Sequence, residues 1–334
     1  MASRLRLGDD YSPWLDLLEA AGAPEGEVPL PRGHEAAALL GRLEVEELDR
    51  AAILEALPVP DRDPELWWLF ERACERARSE IGKGEAVVGR WPSLPFDLGA
   101  HGRCFWIFVF LAVCADIRRW HRDRGIPDGV SWATLSTLGA HVAAYRERTG
   151  ATGLDSQLWV GLSFRGALYT LGRLQFLPYR LLRGPGGPLF WYDAERAAEL
   201  GPGFRAGDLA LSVHVPDGGP LTPDAAGESL QTARTFFPAH FPELRYRVAT
   251  CTSWMLDDQL AAYLPPTSNI VRFQQRFELV PGALEDDAEV LRRVFGLVPP
   301  SLDDLVPRTT LERAVVQHVR AGGHWRMRTG WLEP

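Results

Sequence analysis

The sequence predicts an α+β protein in two domains: a helical domain over residues 1–150, then a mixed β-sheet domain flanked by helices over 151–334. Three observations carry this. The length of 334 residues suits two domains, because one domain usually takes about 100–200 residues. Up to about residue 145, apolar residues recur every three or four positions, the period of a helix with one buried face. After Gly153 short runs alternate apolar and polar residues instead, which is the period of a strand.

In the first half, Ser12-Pro13 supplies an N-cap serine and a proline at the first helical position, ahead of Trp14, Leu15, Leu17 and Leu18. Asp63-Pro64 repeats the device before Leu66, Trp67, Leu69 and Phe70, and predicts a helix to about residue 81. Residues 34–43 and 46–57 read as shorter amphipathic helices. Residues 96–122 read as a long helix whose centre, Phe105-Trp106-Ile107-Phe108-Val109-Phe110, is apolar on every side. Such a helix belongs in the middle of a bundle. Its apolar run, 104–115, is about half of the ~20 residues that span a bilayer. Ser131 is expected to cap a last helix through Trp132, Leu135, Leu138 and Val142, ending before Gly150.

In the second half, residues 168–179 read as one strand carrying Arg173 and Gln175 on the same face. A Gly/Pro-rich loop at 183–188 follows. Leu209, Leu211, Val213 and Val215 then alternate with small or polar residues and define a strand that includes His214. The glycine turn at 216–220 leads to a helix start at Thr222-Pro223. A second strand covers 246–254, and a helix or helix pair ends over 268–277, capped by Ser268 or Asn269. Strands at 277–280 and 324–331 and helices at 286–295 and 311–320 complete this half.

Composition narrows the function. A net charge of −8 argues against nucleic acid bound mainly through its phosphates. Lys83 is the sole lysine, so a Schiff-base lysine is excluded elsewhere. Cys74, Cys104, Cys114 and Cys251 show no C-x-x-C spacing, which predicts neither structural zinc nor a disulfide framework. Asp257 and Asp258 are adjacent, point apart on a helix, and read as first-turn acids rather than a metal pair. The first residues lack the hydrophobic core of a signal peptide. The expectation is a cytoplasmic protein with no membrane partner and no metal.

The polar residues of 208–277 gather at junctions between elements, which makes this segment the candidate site. Gly218 and Gly219 let the backbone approach a ligand, and N–H groups at the following helix start can hold an anion such as a pyrophosphate. Thr222 and Asp224 can equally satisfy that helix end themselves. His214 suits a general base because its pKa is ordinarily near neutrality, yet a structural histidine reads the same way. Cys251 shares a strand face with Ala249 and Ser253. It is a nucleophile if His214 reaches it, and otherwise a small buried hydrophobe.

The run His214-Val215-Pro216, Gly219-Pro220-Leu221, Glu228-Ser229-Leu230, Phe236-Phe237, His240-Phe241-Pro242, Cys251-Thr252-Ser253-Trp254, Ser268-Asn269-Ile270, Phe273 and Arg276-Phe277 resembles a GNAT-type N-acyltransferase. It is similar to the GNAT-like C-terminal domain of actinobacterial acyltransferase-domain proteins, in which a helical domain comes first. The resemblance implies acyl transfer from acyl-CoA, as co-substrate, to an amine on a small molecule or peptide. It implies His214, then Glu228, as base, and Ser253 as the group that protonates the leaving thiolate. Gly218, Gly219, Ser229, Asn269 and Phe273 would line the co-substrate, and Arg173 and Gln175 would orient the acceptor or the pantetheine arm. Two family features are missing. The pyrophosphate signature Arg/Gln-x-x-Gly-x-Gly/Ala does not occur between His214 and Leu230, and Phe273 and Gln274 stand where a general-acid tyrosine is usual. Two other readings stay open: a Cys251 acyl-enzyme thiol acyltransferase or hydrolase, and a non-catalytic module that binds an acyl ligand or a partner.

Overall fold

A computed structural model describes all residues except 1–6, 23, 25, 85–90, 182–193, 297–301 and 334. The Gly/Pro-rich loop at 183–188 lies outside the described residues. The chain divides into two compact units, residues 1–169 and 170–334.

The first unit is helical: α1 (Ser12–Ala21), α2 (Gly33–Arg42), α3 (Glu47–Glu55), α4 (Pro64–Glu80), α5 (Gly99–Asp123), α6 (Asp128–Leu135), α7 (Thr137–Thr149) and α8 (Gln157–Phe164). By length and composition α5 is apolar enough to cross a membrane, although its apolar run looks short in sequence. However, 72% of its most apolar window is buried inside the protein, as a central core helix requires. Around it Trp106 stacks on Trp91 with ring centroids 4.7 Å apart, and the Trp106 indole N–H donates to the Pro92 carbonyl at 2.8 Å.

The unit runs about twenty residues past the change of pattern in the sequence because α8 still belongs to this core. Phe164 is buried and stacks on Phe110 of α5 at 4.5 Å. Buried carboxylates are matched by arginines, as burial demands. Glu80 sits 2.7 Å from Arg76 and 3.4 Å from Arg165. Two helix starts differ from expectation. α1 begins at Ser12 itself, with Tyr11 at the cap position and no side-chain cap, so Pro13 is its second residue. Ser131 is not a cap but a buried residue inside α6, with its hydroxyl 2.6 Å from Nδ1 of buried His121. The chain turns at Ser136 instead, so the single helix read there is two. Lys83 follows α4, is exposed, and its N–H donates to the Glu80 carbonyl at 3.1 Å.

The second unit is built on β1 (Tyr169–Leu171), β2 (Leu174–Arg180), β3 (Leu209–His214), β4 (Ala249–Ser253), β5 (Glu278–Leu279), β6 (Leu284–Glu285) and β7 (Arg326–Leu332). The order across the sheet is β1-β2-β3-β4-β7-β5, with β6 also on β7. Only β3 and β4 pair in parallel among the registers described; β2–β3, β4–β7, β5–β7 and β6–β7 are antiparallel. The helices are α9 (Ala194–Leu200), α10 (Pro223–His240), α11 (Asn269–Gln274), α12 (Asp287–Phe295) and α13 (Thr310–Arg320).

Local signals explain most of the helix starts. The side chains of Thr222, Ser268, Asp286 and Thr309 each accept a backbone N–H at the head of α10, α11, α12 and α13, satisfying a donor that helix geometry leaves orphaned. The strand read across 168–179 is in fact a hairpin, broken at Gly172 and Arg173. Gly172 has φ 71°, and a positive φ at the first loop position is what a two-residue hairpin needs. α10 buries Ala226, Ser229, Ala233, Phe236 and Phe237, and Phe237 meets Phe176 of β2 edge-on at 6.5 Å. A separate small core joins α11, α12 and α13 around Trp325, whose indole N–H donates to the Val315 carbonyl at 3.1 Å.

Candidate active site

Register assigns each residue of β2, β3 and β4 to a face, because directly paired residues in a sheet share one. Gln175 pairs with His214 and Tyr179 with Ala210. Ser212 pairs with Thr250, and Thr252 with Thr329 of β7. These residues form one face, rich in hydroxyls. Tyr179 Oη and Thr250 Oγ1 are 2.7 Å apart, and Thr252 Oγ1 and Thr329 Oγ1 are 2.9 Å apart. The Gln175 amide donates to Thr170 Oγ1 at 3.2 Å. The opposite face holds Phe176, Leu211 and Val213, Ala249 beside Leu211, and Cys251 opposite Gly330. α10 lies on that apolar face.

The pairing of β3 with β4 stops at Ser212 and Thr250, although β3 continues to His214 and β4 to Ser253. The two parallel strands therefore part at their C-terminal ends. Main-chain N–H and C=O groups there are not paired with each other across the gap, and such groups need partners when water is excluded. Ligands of α/β sheets commonly enter at the C-terminal ends of parallel strands.

His214 stands at this opening on the hydroxyl-rich face. Desolvation lowers its pKa from 6.5 to about 4, so the imidazole is neutral at pH 7 and can accept a proton. Cys251 is fully buried and burial pushes its thiol up to about 12. It also lies on the other face of the sheet, so the His214–Cys251 pair required of a thiol nucleophile is not formed. Ser253 ends β4. Its Oγ accepts the Met255 N–H at 3.1 Å, which leaves the hydroxyl hydrogen to give to a ligand.

Glu228 is exposed on the outer side of α10, away from the sheet. There it lines an open groove of about 580 Å³ with Asp224, Gln231 and Arg276. It does not converge with His214, which faces the other side of the sheet. Ser229, one residue on, is buried and fully engaged. Its oxygen accepts the Arg173 N–H at 2.8 Å, and its hydroxyl donates to the Ala225 carbonyl at 2.9 Å. Ser229 thus ties the hairpin to α10 rather than facing a co-substrate. Phe273 is likewise core, buried and 5.1 Å from the Phe277 ring.

Asn269 is exposed at the first position of α11, where Ser268 does the capping. Gly218 and Gly219 occupy the turn after β3 with φ 87° and 68°. Arg173 is not on a strand face with Gln175. It sits in the hairpin loop, and its guanidinium donates to the carbonyls of Pro216 at 2.9 Å and Gly219 at 3.1 Å. The sequence held no signal for this arrangement, since it joins residues more than forty positions apart.

Asp257 and Asp258 are spoken for. Buried Asp257 accepts the Arg326 N–H at 2.8 Å and its guanidinium at 3.0 Å, while Asp258 accepts from Arg328 at 2.8 Å. Among the described residues no group of three His, Cys, Asp or Glu is placed to hold a metal ion.

Two family models match the chain: an N-acyltransferase N-terminal domain over residues 34–166 and a GNAT-like C-terminal domain over 168–332. The chain belongs to this two-domain, GNAT-type N-acyltransferase family. The family's solved structures agree over nearly the full length. An acyltransferase in complex with decanoyl-CoA and teicoplanin is 43% identical, with 99% of this chain and 98% of that chain covered and a TM-score of 0.87. An acyltransferase with decanoyl-CoA is 40% identical, with 99% and 98% covered and a TM-score of 0.88. An acyltransferase mutant with octanoyl-CoA is 42% identical, with the same coverage and a TM-score of 0.86. No curated protein matches the chain. The GNAT-type chain is therefore an enzyme, an acyltransferase with acyl-CoA as its co-substrate.

Proposed function

We propose that this acyltransferase moves a medium-length acyl chain from acyl-CoA to an amine of a glycopeptide-class acceptor by direct attack. The observation that carries the reading is the parting of β3 and β4 after Ser212 and Thr250. It opens a slot lined by main-chain amides, suited to the two amide groups of a pantetheine arm. The turn at 216–220 and the head of α10 are the place for the pyrophosphate, and Asn269 is a further contact. The chain length and the acceptor class follow the octanoyl- and decanoyl-CoA and the teicoplanin held by similar acyltransferases.

In the reaction the amine nitrogen attacks the thioester carbonyl, the C–N bond forms, and the C–S bond breaks as CoA leaves. His214 receives the proton from the nitrogen. An imidazole with a pKa near 4 is too weak to deprotonate an alkylammonium at equilibrium, because base strength must match the proton it takes. It acts once the C–N bond has made that nitrogen acidic. CoA leaves as its thiolate; Ser253, on the face of β4 opposite His214, does not supply its proton. Burial of Cys251 and its place on the opposite face argue against an acyl-enzyme.

The test incubates the full chain with decanoyl-CoA and a glycopeptide bearing a free amine. Mass spectrometry should find one decanoyl amide per glycopeptide and one free CoA per amide. CoA release without amide would make the protein a hydrolase, and a decanoyl adduct on Cys251 would restore the thiol mechanism.

A further inference from the structure

The turn at 216–220 lacks the arginine or glutamine that acyltransferases of this type carry within it, and the structure shows another source of that function. Arg173, on the β1–β2 hairpin, spans the turn with two guanidinium nitrogens on the carbonyls of Pro216 and Gly219. In a trans peptide the C=O and N–H point in opposite directions. Holding the Pro216 carbonyl towards Arg173 therefore turns the Asp217 N–H to the far side. The Gly219 carbonyl is followed by Pro220, which has no N–H to misplace.

Both carbonyls, whose negative ends would repel an anion, are occupied by a cation. The two glycines between them have φ 87° and 68°, and a Gly-Gly turn left alone is conformationally soft. The clamp removes that freedom before a ligand arrives, which lowers the ordering cost of binding.

Arg173 is itself fixed. Its backbone N–H donates to Ser229 Oγ, and Ser229 is buried on α10, the helix whose N-terminus follows the turn. At Gly172 any Cβ would stand 2.9 Å from that oxygen, so glycine there permits the close approach. Hairpin, turn and helix are thus joined through one arginine and one serine.

We propose that Arg173 is a positioning residue for acyl-CoA, presetting the turn that takes the pyrophosphate. This rests on the assignment of that turn to the pyrophosphate under the proposed function. The test compares two probes, decanoyl-CoA and decanoyl-pantetheine, the second lacking the pyrophosphate, by titration calorimetry on the full chain.

Arg173→Ala should weaken decanoyl-CoA roughly tenfold or more, the scale of a lost charge-assisted contact, and leave decanoyl-pantetheine within about twofold. Arg173→Lys keeps the charge but cannot bridge two carbonyls in fixed geometry, so it should recover only part of the loss. Equal weakening of both probes, or none, would overturn the role of Arg173. Full recovery in Arg173→Lys would overturn the clamp, leaving charge alone. If the unaltered chain binds both probes equally, the pyrophosphate site is wrong and the role of Arg173 falls with it. Should Arg173→Ala fail to fold, Arg173→Lys and Arg173→Gln carry the same comparison.

Discussion

The two faces of the central sheet are built from the same strands and do opposite work. On one, Phe176, Val213 and Cys251 are buried, with Phe237 of α10 against Phe176. On the other, Gln175, Tyr179, Ser212, His214, Thr250, Thr252 and Thr329 gather polar atoms, and Tyr179 bonds Thr250 and Thr252 bonds Thr329. Side chains alternate along a strand, so a single register decides which residues meet solvent chemistry and which meet only packing. The difference teaches that Cys251 and His214, both chemically versatile residues, receive their roles from the face they occupy and not from their type.

The largest effect should come from the packed face. Phe237→Ala should cost about 3–5 kcal/mol, as deletion of a buried aromatic does, read as a fall in the denaturation midpoint. A loss below ~1 kcal/mol would mean that α10 is not seated on the sheet as described. On the polar face, His214→Gln should slow acyl transfer on the order of a hundredfold at pH 7, the lower end of what a positioned base contributes. An unchanged rate would remove His214 from the chemistry.

The same histidine makes stability depend on pH. Its folded pKa of about 4 lies below its ordinary 6.5, so the unfolded chain binds the proton more readily. Stability is complete above about pH 6.5 and is lost as pH falls from there towards 4, by on the order of 1–3 kcal/mol. Buried His121, lowered to about 3, contributes in the same direction from the first unit. His214→Gln should flatten part of that acid limb in urea titrations run at several pH values; an identical limb would show that the imidazole is well solvated.

Cys251→Ser should leave transfer within about threefold and cost about 1–2 kcal/mol for a hydroxyl placed in a dry site. Abolished transfer would reverse the assignment of faces. The smallest effect belongs to Thr252→Val, which removes the hydrogen bond to Thr329. It should cost ~1 kcal/mol or less, as measured by thermal denaturation.

What the sequence made legible was local. Thr222 and Ser268 announce their helices because a cap and its N–H lie within three residues of each other. The apolar centre of α5 marked the core helix of the first unit for the same reason. The break at Gly172 was hidden because Leu168, Leu171, Leu174 and Phe176 continue an apolar run on both sides of it. Ser131 looked like a cap because its bond to His121 crosses between helices, and α9 and β6 are too short to leave a period.

At the site the residue types were visible and their directions were not. Ser229 and Glu228 are neighbours in sequence, yet one is buried under the hairpin and the other faces solvent. Nothing in sequence fixes the register of β3 against β4, and that register alone separates His214 from Cys251.

The exposed loop after α4 carries Lys83, the sole lysine of the chain. Thioesters acylate surface amines slowly without any catalyst, and an enzyme that keeps them bound is the first protein they meet. This surface offers them a single ε-amino group. Stray self-acylation would therefore appear in intact-mass spectra as one adduct at Lys83 beside any on the N-terminal amine, a clean background against which true transfer to an acceptor can be read.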